Sequence, residues 1–275
     1  MAPLMALAGT GKYSGGAVSQ PWWQQFFDDE YYEVWGGLFT PADSAREAET
    51  LVDLLRLAPG SRVLDAPCGY GRLARSLASR GVEVLGIDFS PPLLERAQAN
   101  RGQISTEHLR YVRADLRYRH DALPNARFDA AINMFSSLGY GSDDDDDAIL
   151  RNIARTLKPG GLLFIDTMHR DAIVLRMERG IRPGKDMDNG VKIREFPRLD
   201  PVSGRIETTW RWTTANGKKG QKSASIRLYT ITELVQKLES AGFELVSLHK
   251  GCSLEPFTSD DLGGRVGLLA TRADD

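Results

Sequence analysis

The chain alternates between short runs of consecutive apolar residues and longer stretches in which apolar residues recur every three or four positions. The short runs predict buried strands, and the longer stretches predict amphipathic helices. Strands are predicted at residues 62–66, 82–87, 109–114, 128–134 and 162–166. Helices are predicted at residues 71–80, from Ser90 with Pro91 in its first turn, and at residues 144–157. This alternation predicts a mainly parallel sheet with helices on both faces and a ligand site at the carboxyl ends of the strands.

The amino-terminal part has a different composition. Residues 1–20 are rich in Gly, Ala and Ser, and we expect a flexible arm or a lid. Aromatic residues crowd residues 21–39, which indicates a helix anchored by aromatic packing, a cover over a ligand pocket, or both. We take three of them as candidates for the substrate pocket: Trp22, Tyr32 and Trp35.

The pattern changes again after His169. Partly alternating runs at residues 194–197, 204–212 and 222–228 are separated by Gly, Asp, Asn and Pro, which predicts a small antiparallel β insertion. Capping-box patterns start two helices, Thr40 to Asp43 before the first predicted strand and Thr230 to Glu233 after the insertion.

Two last strands, near residues 243–248 and 265–270, complete a seven-stranded sheet. We therefore expect four parts in the chain. They are an arm and helical cover at 1–58, an α/β core at 59–170, a β insertion that caps the substrate at 171–228, and the completion of the core at 229–275.

Composition and charge narrow the class of partner. With 41% hydrophobic and 26% charged residues the chain can bury a core, and its net charge of −2 provides no overall attraction for nucleic acid or anionic lipid. Two cysteines do not make a disulfide framework, and we find no signal peptide or membrane span, so we expect a cytoplasmic protein. Residues 143–147 are five aspartates, which we read as the amino terminus of a helix and not as a metal site.

A glycine-rich turn follows the first strand. Gly69, Gly71 and Ala74 satisfy the G-x-G-x-x-A dinucleotide fingerprint, which does not by itself choose a cofactor. Asp65 stands just before the glycines, where a carboxylate would repel a pyrophosphate but suits an ammonium group. Asp88 ends the next strand, about where a ribose-binding carboxylate is expected, and Asp115 follows the third strand.

Five segments in this order resemble the class I S-adenosylmethionine-dependent methyltransferases. They are residues 64–71, 86–90, 114–115, 128–129 and 157–161. The resemblance implies a Rossmann-like, doubly wound α/β fold with a helical cover and a β insertion, and S-adenosylmethionine as cofactor. It also implies ten cofactor-binding residues: Asp65 and Ala66, Gly69 and Gly71 beside the methionine part, Asp88 on the ribose, Phe89, Asp115 and Leu116 around the adenine, and Asn133 and Phe135 beside the sulfonium.

The expected acceptor is a small molecule, methylated on N, O or C. Residues 133–136 lack the motif of enzymes that methylate nucleobase amines, so we expect no nucleic acid partner and no membrane partner. His169 follows a strand at the ligand-binding edge of the sheet and is the first candidate for a base or orienting group. Tyr140 and Tyr229 are weaker candidates for the same role. Three alternatives remain: an NAD-type oxidoreductase on a similar fold, which Asp65 disfavours, a protein of this fold with a non-methylating role, and a tRNA or rRNA methyltransferase.

Overall fold

A computed structural model describes residues 21–121, 123–180, 184–261 and 263–273, so the predicted arm at residues 1–20 lies outside the described residues. In chain order the helices are α1 Trp22–Phe26, α2 Asp29–Trp35, α3 Pro41–Leu54, α4 Arg72–Ala78, α5 Pro91–Ala99, α6 Asp143–Thr156, α7 Arg170–Glu178 and α8 Ile231–Ser240. The strands are β1 Arg62–Asp65, β2 Glu83–Asp88, β3 Leu109–Arg113, β4 Phe128–Asn133, β5 Leu157–Met168, β6 Gly184–Asp186, β7 Lys192–Asp200, β8 Arg205–Thr213, β9 Lys219–Arg227, β10 Phe243–His249 and β11 Arg265–Arg272. None of the helices in these described segments has both the length and the apolar character needed to cross a bilayer.

The larger sheet has the strand order β3-β2-β1-β4-β5-β11-β10 in the described chain. Its first five strands pair in parallel, and β11 runs antiparallel to both β5 and β10. The predicted fold class is therefore confirmed. Successive strands are added on one side of β1 up to β3 and on its other side from β4 onward, so the switch point in strand order lies between β1 and β4. In sheets of this kind a crevice opens at the carboxyl ends of the two strands at the switch point.

Each face of this sheet packs against its own layer of helices. Successive residues of a strand point to opposite faces, so Val63 packs in the cluster that includes α3 and α4, and Leu64 in the cluster that includes α6 and α8. Both side chains are fully buried. The predicted caps at Thr40, Ser90 and Thr230 are all present, and they set where helices start at the edges of these layers.

Strands β6 to β9 form a separate antiparallel sheet, which we call the cap sheet. Its inner face shares a third apolar cluster with α1 and α2, built around Phe26, Trp35 and Trp212. Lys222 of β9 binds the Asp28 carboxylate at 2.6 Å, which ties the two parts together. The aromatic segment and the β insertion therefore pack as one body over the crevice.

Three details differ from the sequence expectations. The single helix expected within residues 21–39 is two short helices, because extended Asp28 accepts the Tyr31 N–H and starts a new one. Helix α7 was not predicted, since Ile173, Val174 and Leu175 are consecutive and do not show helical spacing. The turn expected at residues 159–161 lies within β5, where the pairing with β4 shifts register.

Candidate active site

Asp88, at the end of β2, connects two segments beside the crevice. One carboxylate oxygen accepts the Gly69 N–H at 2.8 Å, and the other accepts the Ser90 N–H at 2.9 Å. The side chain is 4% exposed, and burial raises its pKa to about 6 despite these hydrogen bonds. The carboxylate thus joins the glycine turn to the start of α5 and keeps acceptor capacity for a ligand.

Asp65, at the end of β1, is buried with one oxygen that has no hydrogen-bond partner. Burial raises the pKa of this carboxyl to about 7, with Arg72 opposing the shift and Asp88 adding to it. An unpartnered buried carboxylate is costly in a folded protein, so its retention here indicates a ligand that donates to it or carries positive charge.

The two glycines of the turn have different physical requirements. Gly69 has a φ of 54°, and a Cβ there would meet no atom within 4 Å, so its backbone faces open space in the crevice. Gly71 has a φ of 73°, and a Cβ there would come within 2.3 Å of the Tyr111 hydroxyl. Gly69 therefore leaves room for a ligand, whereas Gly71 leaves room for the Tyr111 side chain.

Two cavities meet at Asp88. They share five lining residues and therefore adjoin each other: Pro67, Asp88, Phe89, Ser137 and Tyr140. The first cavity also includes three predicted cofactor residues: Asp65, Gly69 and Phe135. The second includes three more: Asp115, Leu116 and Asn133.

Ala66 and Gly71 do not line either cavity. The Ala66 carbonyl instead accepts a hydrogen bond from the Asn133 amide at 2.8 Å, so Ala66 holds Asn133 in place at the end of β4. The Asn133 Oδ1 atom is buried and has no partner.

The Asp115 carboxylate is engaged by a residue that sequence reasoning missed. Arg117 donates to both of its oxygens, and although partial burial raises the pKa of Asp115, these contacts lower it overall. The guanidinium also lies 5.4 Å from the ring centre of Trp23. Arg117 and Trp23 both line the second cavity, as Asp115 does.

Aromatic rings close the first cavity. Of the three predicted pocket residues only Trp35 lines it; Trp22 packs against the Tyr140 ring and Tyr32 against Tyr70. The rings that line it were in the predicted segment but not selected: Phe27, Tyr31 and Phe39. The sequence contains part of the signal, because Tyr31 and Trp35 are one helical turn apart, whereas Phe27 precedes the break at Asp28.

Tyr140 lies at the junction of the two cavities. Its ring contacts Trp22 at 5.1 Å and Phe27 at 5.6 Å. Burial raises the pKa of its phenol, and nearby Asp88 raises it further, as burial does for Tyr31. Both phenols therefore hold their protons at neutral pH.

His169 and Tyr229 are not placed as expected. The His169 ring caps α7, where Nδ1 accepts the Ala172 N–H at 3.0 Å, and it packs on Phe257 outside both cavities. The Tyr229 hydroxyl donates to the Asp146 carboxylate at 2.6 Å. His169 caps α7 because the chain turns into this helix directly after β5. Tyr229 is bonded to the amino-terminal turn of α6 through Asp146.

The aspartates at 143–147 serve separate structural purposes. Asp145 completes a capping box with Ser142, and buried Asp146 accepts the Gly139 N–H and the Tyr229 hydroxyl. Asp147 pairs with Lys237 of α8. Among the described residues, no group of His, Cys, Asp or Glu is arranged to hold a metal ion.

Comparison with known proteins identifies the family. A family model described as a methyltransferase domain matches residues 63–161. The ubiquinone biosynthesis O-methyltransferase of Xanthomonas oryzae pv. oryzae (strain PXO99A) is 31% identical over 173 residues, 55% of this chain and 69% of that protein. The S-adenosyl-L-methionine-dependent Diels-Alderase iccD of Talaromyces variabilis is 35% identical over 127 residues, 46% of this chain and 42% of that protein.

Among solved structures, the S-adenosylmethionine-bound amino pentose methyltransferase CalS10 from Micromonospora echinaspora superposes with a TM-score of 0.63 at 20% identity. The match covers 89% of this chain and 97% of that one. The chain belongs to the class I S-adenosylmethionine-dependent methyltransferases, and its cofactor is S-adenosylmethionine.

The residues of the pocket fit this cofactor. Asp65 offers a buried, unpaired carboxylate oxygen, Gly69 leaves open space against the backbone, and Asp88 keeps acceptor capacity. S-adenosylmethionine supplies a methyl group activated by a positively charged sulfur. The protein has to bind the cofactor, orient an acceptor and exclude water.

Proposed function

We propose that this methyltransferase transfers the methyl group to a neutral amine of a small organic molecule. The observation that carries the proposal is the lining of the two cavities: none of their described residues is a histidine, lysine or glutamate. Their aspartates are either proposed below as cofactor contacts, as Asp65 and Asp88 are, or are already bonded to Arg117, Ser142 or Tyr229. The tyrosines of the first cavity hold their protons more tightly than a free phenol does, so they make poor bases. A neutral amine needs no base before it attacks, whereas a phenol or an acidic carbon does.

The charges in the pocket support the same acceptor. Transfer to an amine forms an N–C bond and breaks the S–C bond, so positive charge passes from sulfur to nitrogen, and water then takes the proton. Aromatic rings line the first cavity together with Asp65 and Asp88, and both aromatic rings and carboxylates stabilise a nearby cation. This environment suits a reaction that keeps a positive charge throughout.

For the cofactor we propose the roles implied by the family. Asp65 and the Gly69 backbone hold the methionine part, and Asp88 accepts hydrogen bonds from the ribose. Leu116 lines the adenine end of the second cavity, and Arg117, which is paired with Asp115, lines it as well. Asn133, for which the family implies a place beside the sulfonium, also lines this second cavity.

Helices α1 and α2 and the cap sheet together limit the acceptor to a small molecule. The Ser90 hydroxyl donates to the Phe27 carbonyl at 2.6 Å, and Arg205 of the cap sheet donates to the carbonyls of residues 139, 140 and 141. These contacts hold the aromatic helices over the first cavity. The amino pentose substrate of the similar structure CalS10 is consistent with an acceptor of this size and chemistry.

The test compares acceptors that differ at one atom. Purified protein and labelled S-adenosylmethionine are incubated with matched pairs of small molecules, each pair carrying NH₂ or OH on the same scaffold, and with tRNA. We expect labelled product from amines only. Turnover of hydroxyl partners alone would support O-methylation, as in the ubiquinone enzyme, and contradict the proposal. Tight cofactor binding without turnover of any acceptor would favour a non-methylating role, as the name of the Diels-Alderase suggests for that protein.

A further inference from the structure

The end of β4 carries two consecutive residues in the left-handed region. Phe135 and Ser136 both have a φ of 61°, a conformation in which a Cβ crowds the backbone and which glycine adopts without cost. Two adjacent non-glycine residues in this region persist only where surrounding contacts hold them. The Phe135 ring lies on the wall of the first cavity, 4.9 Å from the Phe39 ring.

Asp166 of β5 accepts hydrogen bonds from the backbone of residues 135 and 136. Its carboxylate accepts the Phe135 N–H at 3.3 Å, and its carbonyl accepts the Ser136 N–H at 2.9 Å. Both strained residues are thus bonded through their amides to a single residue of the neighbouring strand. The Asp166 side chain is itself buried, so it needs a positive partner.

Arg265 of β11 is that partner, and it touches each member of the group. It donates to both Asp166 carboxylate oxygens and to the Asp166 carbonyl, and to the Ser136 hydroxyl at 3.1 Å. Its guanidinium lies 5.0 Å from the centre of the Phe135 ring. Arg265 is separated from Phe135 by more than a hundred residues of chain and does not line either cavity.

We propose that Arg265, through Asp166, is a positioning residue of the cofactor pocket: it holds residues 135 and 136 in the left-handed conformation that places the Phe135 ring on the cavity wall. The inference concerns the cofactor side of the pocket. It does not depend on the identity of the acceptor, so a failure of the proposed amine specificity leaves it standing.

The test compares the effect of Arg265→Met in two backgrounds, Ser136→Ala and Ser136→Gly. Both backgrounds lack the hydroxyl that Arg265 contacts, and they differ in the cost of the left-handed conformation at residue 136. In the alanine background, we expect Arg265→Met to raise the Kd for S-adenosylmethionine, measured by calorimetry, by about tenfold. In the glycine background the increase should be clearly smaller.

An equal increase in both backgrounds, or no increase in either, would overturn the proposal, since Arg265 would then act as an ordinary ion pair. Arg265→Met should also add nothing to the Kd when Phe135 is already alanine. If the methionine variants do not fold, Arg265→Lys in the same backgrounds tests the same coupling, because lysine keeps the charge but loses the paired donors. Arg198→Met breaks an exposed ion pair with Glu207 on the cap sheet and serves as the control.

Discussion

Replacing Asp88 with alanine is expected to weaken S-adenosylmethionine binding by about 3 kcal/mol, or roughly 150-fold in Kd. An ionised carboxylate has about four acceptor positions. The N–H groups of Gly69 and Ser90 occupy two of them, and both adjoining cavities are lined by the same side chain. Two hydrogen bonds to the remaining positions, at about 1.5 kcal/mol each for a charged acceptor, give this magnitude.

The assay is calorimetric titration with S-adenosylmethionine, accompanied by thermal unfolding. Asp88→Ala also leaves two backbone N–H groups without acceptors and lowers stability, so a matched control is needed. Asp129→Ala removes a carboxylate that likewise accepts a backbone N–H, from Arg62 at 2.7 Å, and that lines neither cavity. If Asp88→Ala bound the cofactor as tightly as Asp129→Ala does, the assignment of Asp88 to the ribose would be wrong.

Three further predictions concern titration and capping. The pKa of Asp65 is about 7 in the folded protein against 3.8 in the unfolded chain, so the folded state binds the extra proton and stability falls as pH rises from about 4 to 7. Asp65→Asn should therefore raise the Tm of the cofactor-free protein at pH 8 by a few degrees, with no gain at pH 4, while S-adenosylmethionine binding is lost; equal Tm shifts at both pH values would contradict this. Because a cationic ligand favours the ionised forms of Asp65 and Asp88, binding should tighten between pH 5 and 8 and release protons, which titrations in buffers of different ionisation enthalpy measure. Uptake of protons on binding would contradict the placement of the cationic ligand beside Asp65 and Asp88. His169→Ala should cost about 1 kcal/mol of stability through loss of the cap to the Ala172 N–H, His169→Asn should recover most of it, and neither should change the pH profile of methyl transfer; a changed profile would restore His169 as a base.

Local patterns were enough to predict the loop that we propose for the cofactor. Asp65, Gly69 and Asp88 lie at a strand end, in the turn that follows and at the next strand end, all within one stretch of chain. Parallel pairing of β1 with β2 brings such positions together in any sheet of this kind. The helix starts were equally readable, because a cap depends on residues three positions apart.

The walls of the pocket depended on side-chain contacts that the sequence pattern does not show. The sequence identified an aromatic segment but not which of its rings line the cavity, because Asp28 divides the helix and rings on both sides of the break contribute to the wall. It placed Asp115 at a strand end without showing that Arg117 would occupy its carboxylate.

By itself, then, the sequence determined the fold class and the cofactor, and it predicted the loop that we propose for binding it, since these follow from periodicity and from residues close together in the chain. The tertiary structure decided the rest. It removed His169 from the pocket, selected Trp35 over Trp22 and Tyr32, and brought Arg265 beneath Phe135. The physical reason is that a pocket wall is set by which side chains meet after packing, and that choice depends on strand order and crossing elements more than a hundred residues apart.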